Sequence, residues 1–116
     1  MRVLAFEDHV DIEAVLISGG VSVSELQFEQ RWSSEDALHH IDRFRPDVLL
    51  LDHFMPPMTG LEVLDALLKS VDAGTGVRPA IVVAMSSEPS CNDAMVARGA
   101  DHGIVKPHVA TLDLWP

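Results

Sequence analysis

The stretch Asp47-Val48-Leu49-Leu50-Leu51-Asp52-His53-Phe54-Met55-Pro56-Pro57-Met58-Thr59-Gly60 decides the fold. Val48 to Leu51 is an unbroken apolar run with no polar alternation, the pattern of a strand covered on both faces of a parallel sheet. Asp52 follows at the strand's carboxyl end, where open α/β sheets gather ligands and chemistry. A proline-broken loop comes next, with Pro56-Pro57 stiffening it and admitting one cis bond. Thr59 and Glu62 then have the spacing of a capping box, and Leu61, Leu64, Leu67, Leu68 and Val71 form the apolar stripe of a helix that runs out before Gly74.

The same alternation extends in both directions. Val3 to Phe6 is a short strand that ends in Glu7-Asp8, and Ile12, Val15 and Leu16 follow at helical spacing up to Gly19-Gly20. Glu25 to Trp32 alternates partly and reads as a more exposed strand. Ser33 and Asp36 offer a second capping box, for a helix buried through Ala37, Leu38, Ile41 and Phe44 and ended by Pro46. Ala80 to Met85 is the fourth strand. Ser90 and Asp93 offer a third capping box, for a helix stopped by Gly99, and Gly103 to Val105 reads as a short fifth strand. Strand and helix alternating through residues 1–116 predict a single doubly wound α/β domain, a five-stranded parallel sheet with helices on both faces. The closing helix is short or missing, because only His108 to Pro116 follow Lys106-Pro107. Leu112, Leu114 and Trp115 are the residues available to cover that flank, which could otherwise receive a second copy of the chain.

Composition narrows the function. The chain has 116 residues, 47% hydrophobic and 22% charged, enough for one core. A formal net charge of −10 with no basic run opposes direct binding of nucleic acid and favours basic protein partners or cations. No apolar run reaches membrane-spanning length, the N-terminus meets acids too early for a secretory signal, and Cys91 has no disulfide partner; these features predict a cytoplasmic protein.

In a doubly wound sheet four polar features fall side by side at strand ends: Glu7-Asp8, Asp52, Ser86 or Ser87, and Lys106. Crowded carboxylates repel one another, and a divalent cation with a lysine removes that cost. Magnesium fits best, since it takes one or two carboxylates and completes its shell with water and phosphate oxygens. An ionised aspartate beside such a cation, with a hydroxyl and an ammonium for the other oxygens, has the parts for phosphoryl transfer to a carboxylate. His9 and His53 each follow a site acid and could approach a metal, but they also read as loop histidines. Met55 and Met58 read as packing residues.

Glu7-Asp8, Asp52, Met55 to Gly60, Gly99-Ala100-Asp101 and Lys106-Pro107, in this order, resemble the receiver domain of bacterial two-component response regulators. The resemblance covers nearly the whole chain and implies a sheet order of 2-1-3-4-5. It further implies that Asp52 is the phosphate acceptor. Magnesium would be held by Asp8, Asp52 and the Phe54 backbone carbonyl, with Glu7 acting through water. Ser86, with Ser87 as the alternative, would be the hydroxyl that follows the phosphoryl group, and Lys106 the lysine that pairs with it. The implied partners are a sensor histidine kinase or histidine phosphotransfer protein and a downstream protein effector. Two features depart from the family: Gly103 stands where an aromatic usually lies, and the last helix is absent. They keep open a pseudo-receiver that signals by binding without phosphorylation. A phosphoaspartyl hydrolase would need a second acid two residues after Asp52, where this chain has Phe54.

Overall fold

Apolar residues on both sides of each central strand force a three-layer arrangement. In the computed structural model, which describes residues 1–116, the elements in chain order are β1 (Arg2–Phe6), α1 (Ile12–Ser18), β2 (Gln27–Arg31), α2 (Ala37–Phe44), β3 (Val48–Leu51), α3 (Gly60–Asp72), β4 (Ile81–Ala84), α4 (Pro89–Arg98) and β5 (His102–Gly103). Short 3-10 turns cover Val23–Glu25 and Lys106–Thr111. All pairings are parallel and the strand order is β2-β1-β3-β4-β5, as the resemblance implies.

Successive strand residues point to opposite faces. Leu4, Phe6, Leu49, Leu51, Val82 and Ala84 meet α2, α3 and α4 through Ile41, Val63, Leu64, Leu67 and Met95. Val3, Ala5, Val48, Leu50, Val83 and Met85 meet α1 through Ile12 and Leu16. On the α1 face the core is completed by the Lys106–Thr111 turn, whose Val109 is fully buried, together with Leu112, Leu114 and Trp115. Trp115 Nε1 donates to the Val109 carbonyl at 3.2 Å and folds the C-terminus back over that turn.

Three local expectations need correction. Ser33 and Asp36 form no capping box: Asp36 is itself the residue before α2, with φ 54° and no side-chain cap, and the Ser33 hydroxyl only accepts the Glu35 amide. Ser90 and Asp93 lie inside α4, which begins at Pro89, where a proline needs no donor partner. The fifth strand is His102–Gly103, one residue earlier and shorter than Gly103 to Val105. The Thr59–Glu62 capping box is present, with Thr59 Oγ1 accepting the Glu62 amide at 3.2 Å and Glu62 accepting the Thr59 amide at 3.0 Å.

The residue that fixes the loop after Asp52 is Ser34. It is fully buried; its hydroxyl lies 2.8 Å from the carbonyls of both Met55 and Met58 and accepts the Met58 amide at 2.6 Å. Pro56-Pro57, the cis bond of this chain, lies within that hold. Ser34→Ala leaves the Met58 amide without its acceptor and is expected to cost about 2 kcal/mol in urea unfolding. A change below about 0.5 kcal/mol would mean that water replaces the hydroxyl.

Candidate functional site

The strand order places the ends of β1 and β3 next to each other, with β4 and β5 following. An open cleft of about 310 Å³ lies over these ends, lined by Asp8, His9, Asp52, Phe54, Ser86, Ser87 and Lys106. Asp52 is 4% exposed, and its amide donates to the Phe6 carbonyl at 3.0 Å, which seats it directly beside the acids of β1.

Glu7 lies beneath the cleft and does not line it. It is fully buried, with Oε2 accepting the amides of His9 at 2.7 Å and Val10 at 2.6 Å. Lys106 Nζ sits 2.6 Å from Glu7 Oε1 and 3.6 Å from Asp52 Oδ1, so one ammonium serves both carboxylates. The short contact is an ion pair without hydrogen-bond alignment at Glu7 Oε1.

This arrangement divides the proton affinity of the two acids. Burial pushes Glu7 up, but Lys106 and the amides of Val10 and His9 outweigh it and hold Glu7 below the usual carboxylate range. Asp52 is pushed up to about 6, first by burial and then by the neighbouring carboxylate of Glu7, against the pull of Lys106. A cation held at the cleft would add the countercharge that keeps Asp52 ionised.

Asp8 is half-buried at the cleft edge, and its Oδ1 lies 2.7 Å from His9 Nδ1. That hydrogen bond and the charge of Asp8 raise the His9 imidazole above its ordinary value. The ligand atoms of Glu7, Asp8 and His9 all lie within 4.8 Å of one another, an acidic cluster that can hold a metal ion. His53 stands outside this group, edge-on to the Phe54 ring at 4.8 Å with a buried Nδ1 that makes no hydrogen bond. The oxygen-rich donor set of Asp8 and Asp52, with one lysine for three acids, fits a hard divalent cation.

Ser86 is 1% exposed, and its hydroxyl accepts the Glu88 amide at 3.1 Å; Ser87 is exposed on the cleft rim. Sequence reading missed the two amides that position this machinery. Asn92, 3% exposed, accepts the Ser86 amide at 2.8 Å and donates to the carbonyls of Ser86 at 2.9 Å and Ile104 at 3.1 Å. Gln30 accepts the Ile12 amide at 3.0 Å and donates to the carbonyls of Glu7 at 3.0 Å and Val10 at 2.8 Å, clamping the loop that carries the acids. An amide in the middle of a half-buried strand and another on the inner face of a helix were the only available signals.

Comparison with known proteins agrees with this geometry. Residues 3–113 match the family described as the response regulator receiver domain. The transcriptional regulatory protein PrrA of Mycobacterium leprae is 32% identical over 108 residues, covering 93% of this chain and 44% of that protein. PrrA of Mycobacterium tuberculosis matches to the same extent, so the chain spans less than half the length of these curated relatives. Among solved structures, the receiver domain of the putative response regulator NarL from Mycobacterium tuberculosis superposes with a TM-score of 0.69 at 27% identity, over 95% of this chain and 86% of that one. The response regulator domain of Thermotoga maritima CheB gives 0.70 at 24% identity, over 98% and 83%. Thermotoga maritima TrrA, solved in complex with Mg(2+)-BeF, gives 0.68 at 21% identity, over 90% and 84%. A match running from the first strand into the closing segment, over a sheet of the expected order, makes this chain a member of the response regulator receiver domain family of two-component systems.

Proposed function

We propose that the cleft accepts a phosphoryl group on Asp52 from a phosphohistidine of a sensor histidine kinase or histidine phosphotransfer protein. The observation that supports this most is the convergence of Asp8, Asp52, Ser86 and Lys106 on one cleft. An Asp52 carboxylate oxygen attacks phosphorus, the phosphorus–nitrogen bond breaks, and the imidazole leaves and takes up a proton. Later attack by water returns Asp52 and releases phosphate, so phosphorylation and autodephosphorylation share the site. Asp8, Asp52 and the Phe54 carbonyl would hold Mg2+, with Glu7 reaching it through water; when bound, the cation neutralises charge on the transferring oxygens. Lys106 leaves Glu7 to pair with a phosphoryl oxygen, and the Ser86 hydroxyl, or that of Ser87, takes another.

A protein effector would read the resulting shift in the β4–α4 loop, in the cytoplasm. A second reading rests on Gly103, where a Cβ would stand 3.1 Å from Asn92 Cβ and 3.2 Å from Val96 Cγ2. Helix α4 thus packs closely where the family usually carries an aromatic, which suits a pseudo-receiver that binds partners without phosphorylation. Intact mass after incubation with acetyl phosphate separates the two. We expect a phosphate-sized increase that requires Mg2+ and is lost in Asp52→Asn. No adduct, with rapid turnover excluded, would favour the phosphorylation-independent module.

A further inference from the structure

Five of the eight lysines and arginines lie within 3.6 Å of a carboxylate oxygen: Arg45 with Asp42, Lys69 and Arg98 with Asp65, Arg78 with Asp101, and Lys106 with Glu7 and Asp52. The other three, Arg2, Arg31 and Arg43, converge on one groove of about 360 Å³ with a single carboxylate, in a chain that carries eighteen. The pattern of β2 explains the groove. Phe28 packs on the α1 side and Gln30 clamps the β1–α1 loop, so Gln27, Glu29 and Arg31 face the α2 side. That half of the edge strand is polar, and α2 covers the apolar face of β1 and β3 through Ala37 and Ile41.

We propose that the groove between β2 and α2, lined by Arg2, Glu29, Arg31, His40, Arg43 and Phe44, binds a small dianion through phosphate or carboxylate oxygens. Arg2 is fixed for this: Nε donates to the Phe44 carbonyl at 2.7 Å, the side chain bonds Gln27, and the guanidinium lies 4.2 Å over the Phe44 ring. Arg43 is exposed and has no carboxylate partner; Arg31 reaches Glu29 only at 4.0 Å, a weak pair that an incoming oxyanion displaces. His40 is held below the ordinary imidazole value by burial and then by the charge of Arg31, and its ring has an N–H to give in either protonation state. Guanidinium forks recognise phosphate and carboxylate oxygens in pairs. The groove shares no lining residue with the acidic cleft, so it is a second site.

The test is nitrogen–proton NMR of the full chain in chelator at constant ionic strength, titrated with inorganic phosphate, with succinate, and with chloride as the control. We expect saturable shifts at the arginine Nε signals of Arg2 and Arg31 and at the amides of residues 27–31, with phosphate or succinate alone but not chloride. Whichever oxyanion saturates identifies the ligand chemistry. Arg43→Gln and Arg31→Gln should each weaken binding on the order of tenfold. Shifts that rise linearly and equally with chloride, saturation that both variants leave unchanged, or shifts confined to the loops of Asp8, Asp52 and Lys106 would overturn the proposal.

Discussion

Lys106→Met should lower stability by about 3 kcal/mol near pH 8 and by less near about pH 5.5, where only the Glu7 share of the loss remains, because breaking a buried ion pair strands its partners. Methionine keeps the length and apolar stem of a side chain that is 12% exposed, so packing changes little. What it removes is the one cation that faces both the fully buried Glu7 and the nearly buried Asp52. Without it, burial and mutual repulsion raise both folded-state pKa values above their unfolded ones. Groups with raised folded values contribute their stability when protonated and lose it as pH rises through those values. Glu7 stands below the usual carboxylate range with Lys106 present, so the deficit opens first as pH rises through that lowered value, and Asp52, at about 6, adds its share above that point. Mg2+ should recover part of it, since a ligand that binds only the folded state stabilises by mass action. Urea unfolding at the two pH values, with and without Mg2+, reads all three effects. A deficit independent of pH would show that Lys106 acts by packing.

Gly60→Ala is the second large effect. Gly60 opens α3, and its amide donates to the His53 carbonyl at 2.9 Å. A Cβ at this position would stand 2.1 Å from the Asp52 carbonyl oxygen and 2.9 Å from its carbon. Both contacts are with backbone, so no side chain can swing away. Glycine is required here by close approach, which ties the start of α3 to the backbone of Asp52. The cost of relieving such an overlap is about 3 kcal/mol. Because the relief moves Asp52 itself, labelling by a phosphodonor should fall about 100-fold even where the variant remains folded. Wild-type stability together with wild-type labelling would show that α3 can shift without moving Asp52.

The parts of this molecule legible in the sequence were those set by periodicity and by strand ends. Val48 to Leu51, apolar at every position, announced a strand covered on both faces, and the acids and Lys106 followed from where such strands stop. The Thr59–Glu62 box was readable because both partners lie within one helical turn. Ser33–Asp36 and Ser90–Asp93 have the same spacing and no such bond, because Asp36 takes a left-handed backbone and Pro89 moves the helix start upstream. Spacing states that a cap can form, while the path of the chain decides whether it does. Ser34, Gln30 and Asn92 were invisible for a different reason. Each spans between segments distant in sequence, such as Ser34 to Met55 and Met58, and a long-range hydrogen bond leaves no local pattern. The position of Glu7, below the cleft and paired with Lys106, likewise depends on the tertiary meeting of β1 with the residues after β5.

Whether Asp52 accepts the phosphoryl group is decided by locating that group on the chain. Treating the acetyl phosphate-labelled chain with borohydride reduces an acyl phosphate on aspartate to homoserine, which peptide mass spectrometry places at a single residue. Homoserine is expected at position 52 and at no other aspartate. Homoserine at Asp8, or phosphate retained on Ser86 or Ser87, would contradict it.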